Sequence, residues 1–549
     1  MEIYTSTEQI KHLGIFTQGK HPVALTPPLI ADQEVLVGLY CELTGPACIH
    51  VDVHEFEEMK RFLYDPQWFR LLSHGIKRIW EQLEIGSTDT HTHLIADTEI
   101  VSYLLDSGHP ERKYSLSYLA HRYLDINYPN RSVDFYEKDY PGYIQEILAE
   151  DAYLIWDLAS VLLDRMDADQ RWFYFYGELK IALILNEMSQ IGIPVDGPAA
   201  AQAYRDTLIH MKKLEDEISS GEDLNLWDGS DVYDLLRDRE PKSLSRAAYR
   251  SKAVSHSDLK QIACSSPLAS RMIEWRDLQT DLSFLKIAAG QSRIHPRWSF
   301  MTRTSRITAS LPAVQNVNKI RCRSLMRPGP GWVMIKADYK QVQMRLLANM
   351  TNDPELVSSF QQGLDVHGLT VEMCGIQGAT DKEKRDKAKA VNFGILFQMN
   401  ADGLSRELGT DRKTAQAYID AFWGKYSVAK KWLDDFVEGL KDKPSGDRVV
   451  RSSLGRTRRF DGEFGLRERR RAKATLLQQE EADLLRMAVM RLYARFRDLG
   501  MKTRIVMTIH DAVYVEAPEE EAQDARAIVK REMEQAVEMP SVPLEVDIE

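Results

Sequence analysis

Two short apolar runs that each end in an aspartate constrain the fold of this chain most strongly. The run 332–338 (WVMIKAD) follows a Pro-Gly-Pro-Gly turn, and the run 504–511 (RIVMTIHD) leads into a second apolar run at 513–515. Runs of this length and composition predict β-strands. Asp338 would then stand at the end of a strand and Asp511 at the tip of a hairpin. Taken singly, each aspartate also has a purely structural explanation, Asp338 as a helix N-cap and Asp511 as a turn residue.

A helical pattern that is basic and then aromatic lies between the two aspartates. Residues 366–440 look almost wholly helical. Within them, two cations and two aromatic residues recur at every fourth position: Arg385, Lys389, Phe393 and Phe397. Four residues advance about 400° around an α-helix, so these side chains form one slowly drifting stripe. The stripe suits a nucleotide, because the cations would neutralise its phosphates. A solvated basic turn that runs into a core-facing aromatic turn would give the same pattern.

The combination of the aspartates and the helix points to phosphoryl transfer with two metal ions. That chemistry needs carboxylates shared by two divalent ions about 3.5–4 Å apart, together with cations for the phosphates. One ion lowers the pKa of the attacking hydroxyl, and the other stabilises the leaving oxygen.

The composition excludes several other classes of protein. A length of 549 residues allows about three to five domains. The net charge of −11 argues against a protein that coats nucleic acid with its whole surface, although a local basic stripe stays possible. We find no signal peptide and no run of about 18 apolar residues, which predicts a protein without a membrane span. The five cysteines are scattered without a CxxC pair, which predicts free thiols in a reducing compartment and argues against a zinc site.

Six blocks of the sequence resemble, in the same order, the family A DNA polymerases, the group of bacterial DNA polymerase I and related phage enzymes. The blocks are TRTSRITASLPAVQNV (302–317), DYKQVQMR (338–345), RDKAKAVNFGILF (385–397), LGRTRRF (454–460), LLQQEEADLLR (476–486) and IHDAVYVE (509–516). The second, third and last are similar to the family's motifs A, B and C. The resemblance covers most of 178–549. It implies a template-directed DNA polymerase that adds dNTPs to a primer 3′ end.

The resemblance also implies roles for individual residues. Asp338 and Asp511, with the backbone of Tyr339, would bind two Mg²⁺ ions. The dNTP would be held by Arg385, Lys389, Phe393, Phe397, His367, Gln341 and Gln343. Of these, Arg385, Lys389 and His367 would hold the triphosphate, while Phe393 would pack against the sugar. The primer–template DNA would contact Arg306, Gln315, Arg456, Gln478 and His510.

Three positions depart from the family's pattern. Gln343 stands where the family has a glutamate in motif A, and Phe397 stands where it has a tyrosine at the end of motif B. In the family that glutamate blocks the ribose 2′-hydroxyl and is hydrogen-bonded to the tyrosine. The changed pair therefore predicts altered or weaker discrimination against ribonucleotides. Ala512 replaces a secondary glutamate after the motif C aspartate, and we expect its loss to leave the metal pair intact.

A local basic segment is the predicted source of DNA affinity. Residues 441–473 contain 12 Lys and Arg against 5 Asp and Glu, a net charge of 12 − 5 = +7, and four glycines break the segment into turns. Such a segment predicts salt-sensitive contact with a phosphate backbone. A solvated loop is the alternative.

Residues up to about 175 resemble the 3′–5′ exonuclease-like domain that precedes these polymerases. The similar stretches are ADTEIVSYLLDSGHPERKYSLSYLAHRYL (96–124) and AEDAYLIWDLASVL (149–162). A proofreading site needs about four carboxylates around two metal ions. The matching positions carry Thr26-Pro27-Pro28 and Ile79, so that only Asp151 remains, with Ile147 at the place of its tyrosine partner.

The sequence Asp97-Thr98-Glu99 spells the acidic pair of such a site but aligns elsewhere in the resemblance. We expect Asp97 to cap the helix that follows it. The N-terminal region is therefore predicted to be a degenerate domain without proofreading, which serves as a structural platform.

The expected fold class is a multidomain α+β protein, a right hand preceded by an RNase H-like α/β domain of the exonuclease type. The expected boundaries are 1–175 for the exonuclease-like domain, 176–290 for the thumb, 291–363 with 443–549 for the palm, and 364–442 for the fingers. We expect a monomer that is cytoplasmic and associated with the nucleoid, in a bacterial or virus-infected cell. Two alternatives stay open. A single-subunit RNA polymerase shares the two aspartates and the basic helix, and a non-catalytic DNA-binding scaffold would need neither.

Overall fold

The computed structural model describes most of the chain, with gaps in the N-terminal third. The described residues are 2–4, 9, 22–26, 29–31, 34–41, 45–52, 54, 70–74, 94–107, 114–129, 143–220, 224–244, 246–263 and 266–549.

A seven-stranded sheet forms the N-terminal part. Its strands are β1 (Glu2–Tyr4), β2 (Pro22–Leu25), β3 (Leu29–Ala31), β4 (Glu34–Cys41), β5 (Gly45–Asp52), β6 (Arg70–Ser73) and β7 (Leu94–Asp97). The strand order is β1-β5-β4-β2-β6-β7, with β3 beside β4. Strands β2, β4 and β5 are antiparallel neighbours, whereas β6 and β7 run parallel to β2. Strands β4 (EVLVGLYC) and β5 (GPACIHVD) are short apolar runs of the kind that favours β-structure.

Helices follow this sheet and pack on it. They are α1 (Thr98–Leu105), α2 (Leu116–Leu124), α3 (Ile144–Arg165) and α4 (Ala168–Phe173). The long helix α3 lies against β4 and β5. Asp97 accepts a hydrogen bond from the Ile100 backbone N–H at 3.0 Å, which confirms that it caps α1.

A π-helical turn (Tyr174–Glu178) leads into α5 (Leu179–Ile191). Helix α5 ends at Gly192, whose φ of 71° lies in the region that favours glycine. A Cβ at this position would also lie 2.5 Å from the Ile294 carbonyl oxygen, so the turn packs too closely for a side chain.

A group of helices then extends from the rest of the molecule. It contains α6 (Gly197–Ser219), α7 (Gly229–Arg239), α8 (Arg246–Ser251), α9 (His256–Ile262) and α10 (Pro267–Ala288), with a 3₁₀ turn at Pro241–Ser243. Ser266 has extended backbone and caps α10 through the Ala269 N–H, and Pro267 begins the helix because it lacks an N–H to continue one.

A four-stranded antiparallel sheet carries the two aspartates. Its strands are β12 (Trp332–Tyr339), β15 (Arg504–Ile509), β16 (Ala512–Pro518) and β17 (Val546–Ile548), in the order β15-β16-β12-β17. The 33-residue helix α18 (Leu466–Asp498) contacts β15, and α19 (Ala522–Glu534) packs on β12, β16 and β17. We call this four-stranded sheet the central sheet.

Three short hairpins and strand pairs surround the central sheet. They are β8 (Ile193–Pro194) with β9 (Arg293–Ile294), β10 (Arg297–Ser299) with β11 (Thr308–Ser310), and β13 (Val449–Arg451) with β14 (Thr457–Arg459). A 3₁₀ turn at Arg323–Leu325 and another at Glu519–Glu521 complete the connections.

Between β12 and β13 the chain is helical, as the pattern at 366–440 predicts. The helices are α11 (Val342–Thr351), α12 (Pro354–Gln361), α13 (Val366–Cys374), α14 (Asp381–Leu396), α15 (Ala401–Leu408), α16 (Arg412–Lys425) and α17 (Ser427–Lys441). Thr380 caps α14 by accepting from the Glu383 N–H at 3.1 Å.

The buried apolar side chains form several cores. The largest runs without interruption from the N-terminal sheet through α5 to the central sheet. The helices α11–α17 have their own core, and so do α6, α7 and α10. The N-terminal part is therefore not a separately packed appendage. Among the described helices, none combines the length and the apolar character that a bilayer crossing requires.

Candidate active site

Asp338 and Asp511 lie at the same end of the central sheet. Asp338 on β12 is paired with Ala512 on β16. Ala512 directly follows Asp511, so Asp511 is adjacent in sequence to the cross-strand neighbour of Asp338. Asp511 belongs to the two-residue turn between β15 and β16, and His510 supplies the left-handed conformation of that turn with a φ of 57°. The predicted strand end and hairpin tip are both present. The run 332–338 continues as strand to Tyr339, and Asp338 does not cap the next helix, which begins at Val342.

The two carboxylates influence each other electrostatically. Burial, followed by the charges of Asp338 and Glu481, raises the pKa of Asp511 from 3.8 to about 7. Lys389 lowers the pKa of the same carboxyl, so this cation of the stripe lies within electrostatic reach of Asp511. Asp338 is the more exposed carboxylate, with Lys336 Nζ at 3.6 Å.

The donor set of this site fits hard divalent cations. Two neighbouring carboxylates, one of them with a strongly raised pKa, are a site where added positive charge is stabilising. The described residues include no cluster of three or more His, Cys, Asp or Glu side chains suited to hold a metal ion. Two carboxylates are a common protein contribution to a divalent-ion site whose shell is completed by substrate phosphates and water.

The cationic and aromatic stripe lies on α14. Arg385 donates from Nε to Asp365 Oδ2 at 2.7 Å, and Gln341 donates from Nε2 to Oδ1 of the same carboxylate at 2.8 Å. Lys389 Nζ lies 5.6 Å from the centroid of the Phe393 ring. Phe397 is the residue that ends the helix, and its ring stacks on Phe393 with centroids 6.4 Å apart and planes 12° apart.

His367 is buried beside this stripe. Its Nδ1 lies 2.8 Å from Nδ2 of Asn392, whose own Oδ1 lies 2.9 Å from the Thr370 hydroxyl. If Thr370 donates to that oxygen, the Asn392 amide donates to Nδ1 and the ring proton is on Nε2. Burial lowers the pKa of His367 to about 4. At neutral pH this side chain is therefore a neutral donor and not a third cation for a triphosphate.

Arg306 also lies near Phe397, with its guanidinium carbon 5.7 Å from the ring centroid. Its Nη2 donates to both oxygens of Glu481, at 3.0 and 2.8 Å. Gln343 donates from Nε2 to Glu481 Oε2 at 2.7 Å. Glu481 was not among the residues predicted for the site. A sequence signal did exist, because Glu481 occupies a core-facing position of α18 between Leu477 and Leu484, and a charge there needs a buried partner.

Two residues predicted to contact DNA bind internal partners in the structure. Arg456 is fully buried and forms ion pairs with Glu178 and Asp483, so its guanidinium neutralises internal carboxylates. Gln315 uses its amide internally, since Nε2 donates to the carbonyls of Ile307 and Thr508 at 3.0 and 2.9 Å.

The other predicted site residues are placed as follows. Gln478 on α18 is partly exposed, and His510 is exposed at the hairpin tip. Partial desolvation, then the charges of Arg306 and Arg323, lower the pKa of His510. Tyr339 is buried at the end of β12, where its hydroxyl donates to the Met533 carbonyl at 2.8 Å.

Much of the charge in the basic segment 441–473 is compensated by acids elsewhere. Arg451 pairs with Asp167, Arg469 pairs with Glu438, and Lys473 pairs with Asp434. The local excess of +7 counted from the sequence therefore overstates the free positive charge. Exposed cations remain at the start of α18, among them Arg467 and Arg470.

The exonuclease-like positions are only partly described. Thr26 accepts a hydrogen bond from the Gly38 N–H at 2.8 Å, and Asp151 accepts a short one from the Tyr128 hydroxyl. Pro27, Pro28 and Ile79 lie outside the described residues. Asp97 is buried, and its carboxylate already has internal partners. It accepts a hydrogen bond from Ser73 Oγ at 2.9 Å and also caps α1.

Comparison with known proteins gives consistent matches. Residues 199–549 match the family model described as DNA polymerase family A. The chain is 27% identical over 500 residues to a DNA polymerase I from Caldicellulosiruptor bescii, covering 87% of this chain and 56% of that protein. It is 29% identical over 435 residues to a thermostable DNA polymerase I from Thermus filiformis, covering 74% of this chain and 51% of the relative. The chain thus spans about half the length of these curated relatives.

A solved structure shares the architecture of the whole chain. The POL domain of Pol1 from M. smegmatis, in a complex with DNA primer-template and dNTP, superimposes with a TM-score of 0.80 at 21% identity, covering 100% of this chain and 98% of that one. At this identity the match concerns the fold. It confirms the α+β architecture predicted from the sequence.

Proposed function

We propose that this chain, which belongs to DNA polymerase family A, extends the 3′ end of a primer on a DNA template. The observation that carries the proposal is the position of Asp338 and Asp511 at one end of the central sheet, within electrostatic reach of Lys389. Within this proposal the fold divides into an exonuclease-like domain, a palm built on the central sheet, fingers containing α14 and a thumb. The thumb would span about 176–290, and its first helix α5 packs into the core shared with the central sheet.

In the proposed reaction, the primer 3′-hydroxyl attacks the α-phosphate of a dNTP, and pyrophosphate leaves. Asp338 and Asp511 would hold two Mg²⁺ ions, which when bound activate the hydroxyl and neutralise charge on the phosphates. The backbone carbonyl of Tyr339 would add a ligand. Holding the reacting groups in place and offsetting their charge would supply most of the acceleration.

The residues of α14 would bind the nucleotide. Arg385 and Lys389 would hold the triphosphate, for which Arg385 must loosen its pairing with Asp365. Phe393 would contact the sugar, since it lies one turn further along the helix than Lys389. His367 would assist only as a neutral donor, and Gln341 would keep Asp365 in place.

The proposed DNA path follows the remaining exposed cations. Arg306, Gln478 and His510 would face the primer–template near the catalytic aspartates, and Arg467 and Arg470 would meet its phosphates further along. Because these contacts are ionic, affinity should fall as salt rises. Neither an RNA polymerase nor a scaffold is favoured by a specific feature of the site. We further expect the chain to act as a monomer.

Primer extension with Mg²⁺ and dNTPs tests the proposal. We expect Asp338→Asn to lower the extension rate at least about 100-fold, because an amide cannot replace the charge of a metal-binding carboxylate. Asp547→Asn is the matched control. Asp547 lies opposite Asp338 on β17, but it is exposed and paired with Lys340. Its variant should extend primers within about twofold of wild type. Extension that survives Asp338→Asn, or that needs no primer, would refute the proposal.

We also propose that the N-terminal domain does not proofread. The support is that Asp151 is the one acid of the expected set, and that a tyrosine hydroxyl already binds it. We expect no degradation of a single-stranded 3′ end in the presence of Mg²⁺. Degradation by the wild type that disappears in Asp151→Asn would contradict this prediction, while degradation that persists in the variant would indicate a contaminating nuclease.

A further inference from the structure

The buried carboxylate of Glu481 links three elements of the site. It lies on α18 with 4% of its surface exposed. Its partner Arg306 lies in the segment just before β11, and its partner Gln343 lies on α11. It also contributes, after burial and Asp338, to the raised pKa of Asp511. Glu481 is therefore close to the catalytic aspartates without being one of them.

The carboxylate fixes the orientation of the Gln343 amide. A carboxylate only accepts hydrogen bonds, so the amide nitrogen must face Glu481 at 2.7 Å. The amide oxygen Oε1 consequently points away. It is buried and has no hydrogen-bond partner among the described residues. A buried acceptor without a donor costs free energy, which a ligand hydroxyl would recover.

The same carboxylate supports the aromatic stack. Arg306, held by Glu481, lies against one face of Phe397, whose ring stacks on Phe393. Phe393 in turn is one helical turn from Lys389. A nucleotide with its phosphates at Lys389 would place its sugar alongside this stack, to which Gln343 is joined through Glu481 and Arg306.

We propose that Glu481 is a positioning residue that determines which nucleotide sugar the site accepts. It turns the Gln343 amide so that Oε1 accepts a hydrogen bond from a ribose 2′-hydroxyl, and it holds Arg306 behind Phe397. The proposal rests on the proposed polymerase function. The residues Gln343 and Phe397 predict weaker discrimination against ribonucleotides. In this proposal Glu481, which lies outside both motifs, is a structural cause of that weaker discrimination.

The proposal makes positions 343 and 481 interdependent. A glutamate at 343 would set two carboxylates against each other, and a glutamine at 481 would leave the Gln343 amide free to rotate. Exchanging the two residues restores one carboxylate and one amide, and hence the hydrogen bond between them.

Steady-state incorporation of one dATP or one ATP opposite template T tests this in wild type, Glu481→Gln, Gln343→Glu and the exchanged double variant. We expect Glu481→Gln to raise the KM for ATP about 3–10-fold, the loss of one hydrogen bond, while kcat and the KM for dATP change less. Gln343→Glu should impair the incorporation of both nucleotides. The double variant should return the ATP-to-dATP ratio of kcat/KM to within about twofold of wild type, since contacting positions are not additive.

Glu480→Gln is the matched control, because the neighbouring carboxylate is turned away and pairs with the Ser453 N–H at 2.7 Å. It should leave the ratio unchanged. A general folding defect would lower the incorporation rate of both nucleotides together and leave the ATP-to-dATP ratio of kcat/KM unchanged. The proposal is overturned if Glu481→Gln leaves the ratio within twofold, if Glu480→Gln shifts it as much, or if the two single effects simply add in the double variant. Failure of the polymerase function itself would appear differently, as a wild type that incorporates no dATP.

Discussion

A buried neutral histidine next to the cationic stripe should give the protein a defined pH dependence. Burial lowers the pKa of His367 from 6.5 to about 4. Between these values the unfolded chain binds more protons at this residue than the folded chain, so the free energy of unfolding rises with pH. The contribution is fully present above pH 6.5 and is lost as the pH falls towards 4. Its size is at most about 3 kcal/mol.

Denaturant unfolding at pH 7 and pH 5 measures this contribution. We expect His367→Gln to show a smaller loss of stability between the two pH values than wild type. His210→Gln is the control, because His210 is exposed and paired with Glu274. It should retain the wild-type pH dependence. Equal pH dependence in wild type and His367→Gln would show that His367 is not held neutral by burial.

At the scale of elements, four buried charges join the π-helical turn, the β13–β14 hairpin and α18. Arg456 donates from Nη2 to Asp483 at 2.7 Å and also binds Glu178, which in turn binds Arg486. Removing one partner leaves a buried charge uncompensated. We therefore expect Arg456→Met to lower the free energy of unfolding by about 3–5 kcal/mol, measured by urea titration.

Arg451→Met is the control for that substitution. Arg451 lies on the same hairpin and pairs with Asp167, but both side chains are well exposed. Exposed pairs contribute about 0–1 kcal/mol, so this variant should stay near wild-type stability. Similar losses in both variants would mean that the hairpin itself, and not the buried charge network, is what the substitutions disturb.

The sequence predicted the elements better than it predicted their side-chain pairings. The strand ends at Asp338 and Asp511, the stripe on α14 and the stop at Gly192 follow from local patterns, and the structure contains all of them. Arg456 was predicted to contact DNA because its block LGRTRRF resembles a block of the family. Its partners Glu178 and Asp483 are distant in sequence, so no local pattern could show that it is buried. The pairing of Glu481 with Gln343 was missed for the same reason.

At the scale of the whole molecule, the N-terminal part contacts the elements that carry the site. The C-terminal end of α1 reaches both the segment before β11 and the β13–β14 hairpin. Ser107 donates from its backbone N–H to the Thr457 carbonyl at 3.0 Å, and Gln479 on α18 donates to the Ser107 hydroxyl at 3.2 Å. With the shared apolar core, these contacts join the N-terminal domain to the elements that carry the site.

Tyr103 on α1 provides a direct test of this connection. Its hydroxyl lies 3.0 Å from the Phe300 carbonyl, the Thr302 carbonyl and Ser305 Oγ, in the segment that leads to Arg306. Tyr103→Phe removes this link and keeps the packing, so we expect the Kd for primer–template DNA to rise about 2–10-fold, the value of one buried hydrogen bond. Tyr118→Phe is the control, because its hydroxyl accepts from Arg122 within the N-terminal domain and should leave the Kd unchanged. Fluorescence anisotropy with a labelled duplex measures both. If Tyr103→Phe binds DNA as wild type does, the N-terminal domain does not position the segment that carries Arg306.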